Sequence, residues 1–188
     1  MIMTRRTTFG LLIVAALGFG GCCAPRQSTE ESESTAQIPL QSLMFGKNTS
    51  FTIEGTLTTL VNGVSSASIE NSSSRTTTRY LGREVEGDLN GDGLDDFSFW
   101  VAQDAGGSGT FYYVVVALQN PSGYTTTNAF LVGDRITPES MRIRSDAREL
   151  HVSFIGRACG DPMTAPPSEP KVLLLKVTPN GVLEGLMG

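Results

Sequence analysis

Length, composition and charge limit what this chain can be. Its 188 residues, 39% hydrophobic and 18% charged, suit one globular domain with a tail. The formal net charge of −5 would become −7 without residues 1–21, because that segment holds Arg5 and Arg6 and no acidic residue. Such a surface repels phosphate groups, so nucleic-acid binding is disfavoured.

Residues 1–21 are interpreted as an export signal. Two arginines near the start are followed by an apolar stretch at 9–19, which is too short to span a bilayer comfortably as a helix. Two glycines then precede Cys22, and this order resembles the bacterial lipobox, in which the cysteine is acylated and becomes the mature N-terminus. Phe19 stands where that motif usually has Leu, so ordinary cleavage near this point stays an alternative.

Residues 22–38 are interpreted as a flexible tether. They are rich in Ser, Thr and Glu and have no apolar periodicity, so they cannot bury enough surface to offset chain entropy. The lipobox resemblance implies an acyl anchor at Cys22 that holds the domain at a membrane without spanning it. Because Cys23 and not Asp follows, the resemblance implies the cell envelope, at the outer membrane or periplasmic face in a Gram-negative source. A Cys23–Cys159 bridge stays open.

Residues 39–188 are predicted to form a single β domain. A helical turn is expected at 39–45, and β-rich segments at 50–60 and 64–69 are joined by Asn62-Gly63, the favoured two-residue hairpin turn. The apolar run at 111–118 is typical of a central strand covered on both faces. Further strands are expected at 76–81, 97–102, 124–132, 141–144, 149–155, 171–177 and 182–186.

These short strands, with almost no helical period between them, predict the fold class. The expectation is an all-β domain, either an antiparallel sandwich or an open barrel.

The most specific chemical pattern lies between two of these strands, within a run of thirteen residues, 84–96, that holds six acidic side chains. Oxygen-bearing residues alternate there, a glycine follows at the sixth place and an aspartate at the ninth, as calcium loops require. Phe99 replaces the final Glu of an EF-hand and the flanks are strands, so a regulatory EF-hand is not expected. The candidate ligands are the side chains of Asp88, Asn90, Asp92 and Asp96 and the carbonyl of Leu94.

Residues 87–97 resemble the calcium loop of FG-GAP and integrin-type β-propeller blades, where GD-x-NGDG-x-x-D precedes a strand. The resemblance implies a calcium ion held by the same five residues. A structural role is expected for the ion, and Asp95 should point the other way in an extended chain, outside the set of ligands. An affinity of about 10⁻⁴–10⁻³ M, the range of extracellular modules, is expected. A solvated turn without metal is the alternative.

A wider resemblance covers roughly residues 50–178. The runs GDLNGDGLDD, GGSGTFYY, LVGDRI and DPM are similar to a family of bacterial secreted lipoproteins without an established activity. Some members carry this region beside modules that resemble lysozyme inhibitors or META domains. The resemblance supports fold and location and implies no chemistry.

No catalytic constellation stands out in the sequence. Ser108 lacks the strand–Ser–helix context of a nucleophile elbow, and His151, the only histidine, lies in an alternating strand. The prediction is therefore a membrane-anchored lipoprotein whose calcium-stabilised domain binds an unknown protein or glycan without catalysis. Two alternatives stay open: an inhibitor of an envelope-directed hydrolase such as lysozyme, and a carbohydrate-active enzyme that uses Asp92 or Asp96.

Overall fold

The computed structural model describes residues 40–186. The predicted signal at 1–21, the tether at 22–38 and the acylation site Cys22 lie outside the described residues. The elements are, in chain order, α1 (Leu40–Lys47), β1 (Ser50–Ile53), β2 (Thr56–Thr59), β3 (Val64–Ser68), β4 (Arg75–Gly87), β5 (Asp96–Asp104), β6 (Thr110–Asn120), β7 (Gly123–Thr126), β8 (Phe130–Asp134), β9 (Thr137–Arg144), β10 (Glu149–Gly156), β11 (Glu169–Val177) and β12 (Leu183–Gly185).

These strands form three sheets. The largest has six strands in the order β3-β4-β5-β6-β7, and β8 pairs with another stretch of β6. A second sheet has the order β12-β11-β10-β9, and β1 pairs with β2. All pairings are antiparallel, and no sheet within residues 40–186 closes into a barrel. The predicted all-β antiparallel fold is confirmed.

The six-stranded sheet is covered on both faces, because alternate side chains of β5 and β6 enter two different cores. Trp100 and Val114 pack on one side against the four-stranded sheet, in a cluster that includes Leu150. Phe99 and Val115 pack on the other side in a cluster with residues of β1, Leu60 and Phe45 of α1. The apolar run at 111–118 is therefore a central strand, as predicted.

The predicted hairpin at Asn62-Gly63 is wrong in its pairing. The turn exists, with φ of 52° and 84°, but it joins β2 to β3, which lie in different sheets and share only the Val61–Val64 bridge. The actual hairpin turn is Glu54-Gly55, which pairs β1 with β2, while β3 pairs with β4. The burial of β1 against the six-stranded sheet determines this pairing.

Two other predicted boundaries change. The segment 124–132 is not one strand but parts of β7 and β8, both of which pair with β6. The acidic segment is shorter than predicted, because β4 continues to Gly87 through register shifts near Gly82. The first predicted helix is present as α1, and no helix within residues 40–186 has the length and apolarity needed to cross a membrane.

The two large sheets meet where β4 runs beside β9. Arg83, in the irregular part of β4, has φ of 60° and donates from Nη1 to the carbonyl oxygens of Pro138 and Glu139 at 2.9 and 2.6 Å. Beyond the end of β4, the Asp88 N–H donates to Ser145 Oγ in the β9–β10 turn at 3.1 Å. The loop that follows β4 therefore lies at the junction of the two sheets.

Candidate metal site

Residues 88–95, here called the acidic loop, connect β4 to β5. Gly91 and Gly93 have φ of 83° and 84°, a left-handed conformation that side chains with a Cβ adopt only at a cost. The two glycines let the chain reverse within a few residues. The strand–loop–strand context is the one that the sequence predicted.

The predicted ligands at the start of the loop turn inward and accept hydrogen bonds from its own backbone. Asn90 Oδ1 accepts from the Asp92 N–H at 2.8 Å, and Asp92 Oδ1 accepts from the Leu94 N–H at 2.8 Å. Asp88 accepts from the N–H groups of Gly91 and Gly93, the latter at 3.0 Å. The alternating acceptors thus build a series of turns that brings Asp88, Asn90 and Asp92 into one compact loop.

Asp96 has a different environment. It is fully buried, and its two oxygens accept from two distant backbone groups, Oδ2 from the Leu89 N–H and Oδ1 from the Gln119 N–H, both at 2.9 Å. Leu89 is itself only 1% exposed. The carboxylate therefore joins the beginning of the acidic loop to the end of β6, a structural role that the ligand pattern did not predict.

Burial raises the pKa of Asp96 above its ordinary value. The Leu89 and Gln119 N–H groups oppose this rise, and the charges of Asp92 and Asp88 add to it. Asp96 forms no salt bridge with any residue between 40 and 186. The site therefore holds a desolvated carboxylate that is near two others and forms no salt bridge of its own within the described part of the chain.

The predicted ligands have the right chemistry for calcium, but their side chains are not gathered around one point in this structure. The predicted set consists only of hard oxygens, which calcium prefers, and Asp95 is exposed and outside it, as expected. Yet no three His, Cys, Asp or Glu side chains are gathered closely enough to hold a metal in the part of the chain that the structure describes. Ion binding would therefore need small movements of the Asp88, Asn90 and Asp92 side chains.

Two neighbours of the loop were not found from the sequence. Ser145, in the β9–β10 turn, accepts a hydrogen bond on Oγ from the Asp88 N–H at 3.1 Å. Arg148, from the same turn, lies so close to Gly91 that a Cβ there would overlap its guanidinium group. Both residues are more than fifty positions away in sequence, and no local motif marks them.

The β9–β10 turn that supplies these neighbours is held by its own ion pair. Arg144 donates to Asp146 through Nε and Nη2 at 3.0 and 2.8 Å. The hydrogen bond from Arg144 lowers the pKa of Asp146 to about 2, so this pair stays charged over the physiological range. Arg148 follows with φ of 55°, which directs the chain back into β10.

The only histidine lies on the outer face of the four-stranded sheet. His151 Nε2 is 3.1 Å from Glu149 Oε2, and Lys176 Nζ is 3.5 Å from Glu149 Oε1. The hydrogen bond with His151 lowers the pKa of Glu149, and Lys176 lowers it further. Ser108 lies apart from this group, exposed in the β5–β6 turn. Cys159 is exposed in the β10–β11 loop, and its considered partner Cys23 is outside the described residues.

Comparison with protein-family models, with curated proteins and with solved structures found no match.

Proposed function

We propose that this chain is a lipid-anchored protein of the bacterial cell envelope whose β domain is stabilised by calcium and binds a partner without catalysis. The observation that supports the calcium site most directly is the environment of Asp96. A buried carboxylate lies near the charges of Asp88 and Asp92 and forms no salt bridge within residues 40–186. A divalent cation among these groups would replace their repulsion with attraction.

Each predicted ligand keeps the capacity to bind an ion. A carboxylate or amide oxygen that accepts one N–H group has a second lone pair available. When bound, calcium would supply the charge that balances the loop and would link the loop to β5. The residues that would hold it are Asp88, Asn90, Asp92 and Asp96 through side chains and Leu94 through its carbonyl.

The membrane anchor rests on the sequence. Residues 1–21 have the charged start, apolar stretch and small residues of a lipoprotein signal, and Cys22 follows them directly. The Ser-, Thr- and Glu-rich segment at 22–38 would set the distance of the domain from the membrane.

The non-catalytic role rests on the placement of the reactive side chains. His151 and Glu149 lie on the outer face of the four-stranded sheet, and Ser108 lies apart from them in an exposed turn. The net charge of −5 disfavours nucleic acid, so the partner would be a protein or a glycan of the envelope.

Calcium should raise the thermal stability of the full chain in neutral detergent. At a hundredfold excess over the dissociation constant, one ion adds about 2.7 kcal/mol, which corresponds to about 5–10 °C for a domain of this size. Fluorescence of the buried Trp100 gives the unfolding midpoint, with calcium and with chelator.

The matched variants for this measurement are Asp88→Ala and Asp95→Ala, which remove one charge each from the same loop. Asp88→Ala should abolish the increment that calcium adds, and Asp95→Ala should keep it, because Asp95 is exposed and outside the ligand set. A midpoint that does not respond to calcium, or an increment that survives Asp88→Ala, would contradict the site.

Acylation at Cys22 should be visible when the full chain is expressed in bacteria with labelled palmitate. The mature protein should lack residues 1–21 and carry the label in the membrane fraction. Cys22→Ala should lose the label, whereas Cys23→Ala, its matched control, should retain it. Label in Cys22→Ala, or an unlabelled mature chain in the wild type, would show that the anchor is wrong.

A further inference from the structure

A cleft of about 440 Å³ lies beside the acidic loop, between the two large sheets, and is called the loop cleft here. This volume is within the range of small-molecule pockets, about 300–1,000 Å³. One wall comes from the acidic loop and the end of β6, and the other from the β9–β10 turn and the end of β11 with the turn after it. The lining residues that matter are Asn90, Leu118, Arg148, Lys176, Val177 and Pro179.

Two cations line the loop cleft. The guanidinium group of Arg148 makes no hydrogen bond and no salt bridge to another residue between 40 and 186, although it packs over Gly91. Lys176 is 43% exposed, and its closest acidic group, Glu149 Oε1, is 3.5 Å away. The planar donor group of Arg148 is thus available to a ligand.

The backbone around Arg148 brings its exposed side chain over Gly91. The Arg144–Asp146 pair holds the turn before it, and the missing side chain at Gly91 leaves the space that the guanidinium group occupies. A planar guanidinium group can bind a carboxylate through two parallel hydrogen bonds.

The other residues that line the loop cleft indicate which group should be attached to the carboxylate and how much charge the ligand should carry. Leu118, Val177 and Pro179 give the loop cleft apolar walls, which would pack against a hydrocarbon group. Each cation has a carboxylate in its neighbourhood: Asp92 follows Gly91, over which Arg148 packs, and Glu149 Oε1 is 3.5 Å from Lys176 Nζ. Repulsion by these carboxylates disfavours a doubly charged ligand such as a phosphate monoester and favours a single negative charge.

We propose that the loop cleft binds a carboxylate monoanion that is attached to an apolar group, with Arg148 as the main carboxylate ligand and Lys176 as the second cation. Two sources supply this chemistry, the carboxyl terminus of a peptide with an apolar last residue and a free aliphatic acid. The loop cleft adjoins the proposed calcium site, and Asn90 belongs to both.

Saturation-transfer NMR on the full chain in neutral detergent tests the proposal with two probe acids, N-acetyl-L-leucine and hexanoate. Each is compared with its neutral amide, N-acetyl-L-leucinamide and hexanamide. At least one acid should bind with a dissociation constant of about 1–10 mM, and its amide should bind at least about tenfold more weakly, because a charge-assisted hydrogen bond is lost. Tighter binding of N-acetyl-L-leucine indicates a peptide terminus, and tighter binding of hexanoate indicates a free acid.

The variants Arg148→Gln and Arg142→Gln are a matched pair, because both remove an exposed arginine from the β9–β10 hairpin and only Arg148 lines the cleft. Arg148→Gln should weaken binding of the acid about tenfold or more. Arg142→Gln should leave it unchanged. The unfolding midpoint, followed through the fluorescence of Trp100, shows whether each variant is folded. If Arg148→Gln does not fold, Lys176→Gln is used in its place.

Three results would overturn the proposal: no binding of either acid up to about 50 mM, equal binding of acid and amide, or equal binding by wild type and Arg148→Gln. All titrations are run with calcium and with chelator. Acid binding without any calcium effect on stability would support the loop cleft and contradict the calcium site. A failure of the cleft proposal can therefore be told apart from a failure of the calcium site.

Discussion

Asp96→Ala should destabilise the calcium-free protein by about 2–6 kcal/mol. The change leaves the buried N–H group of Leu89 and the partly buried N–H group of Gln119 without an acceptor, and each such group costs about 1–3 kcal/mol. Burial and the charges of Asp92 and Asp88 raise the pKa of Asp96, which means that its charged form is unfavourable in the folded protein. Removal of that charge therefore offsets part of the cost. We expect the hydrogen-bond loss to dominate because the Asp96 side chain is fully buried.

Urea unfolding of the full chain in chelator measures this effect, with two variants for comparison. Asp92→Ala removes an exposed carboxylate of the same loop and should cost less than about 1 kcal/mol. Asp96→Asn keeps an acceptor and removes the charge, so its loss should be smaller than that of Asp96→Ala. If Asp96→Ala and Asp92→Ala were equally stable in chelator, the carboxylate would not join the loop to β6.

The fold was predictable where its signals are local. The apolar run at 111–118 indicated a strand with both faces covered, and β6 has both faces covered. The pairing of Asn62-Gly63 was not predictable in this way. A two-residue turn signal fixes the local backbone but not the sheet that each flanking strand joins, and burial of Phe51 and Ile53 against Phe99 places β1 and β2 on a separate layer.

In the candidate site, too, the local features were predictable from the sequence and the long-range contacts were not. The acidic loop follows from residues within nine positions of one another, so its turns and its glycines were visible in the sequence. The partner of Asp96 at Gln119 is 23 residues away, and the contact of Asp88 with Ser145 spans 57 residues. These contacts depend on how two sheets approach each other, which the strand pattern alone does not specify, and the same approach creates the loop cleft and places Arg148.

Gly87→Ala should cost about 2–6 kcal/mol, because it disturbs the closest approach between β4 and β9. Gly87 has φ of 154°, which a residue with a Cβ adopts at a cost of about 1–3 kcal/mol. An added Cβ would lie 2.7 Å from Ile143 Cγ2 and 2.9 Å from Ser145 Oγ, and overpacking of this kind costs about 1–3 kcal/mol more. Ile143 is β-branched, so its side chain has little freedom to move away.

Gly93→Ala is the matched control, because Gly93 has φ of 84° and no atom within 4 Å of an added Cβ. It should show the backbone cost alone, about 1–2 kcal/mol. Urea unfolding in chelator compares the two variants without a contribution from calcium. A larger loss in Gly87→Ala means that the contact with the β9–β10 turn stabilises the junction of the sheets. Equal losses would mean that Ile143 and Ser145 yield freely, and the acidic loop would then be held in place by Asp96 rather than by this contact.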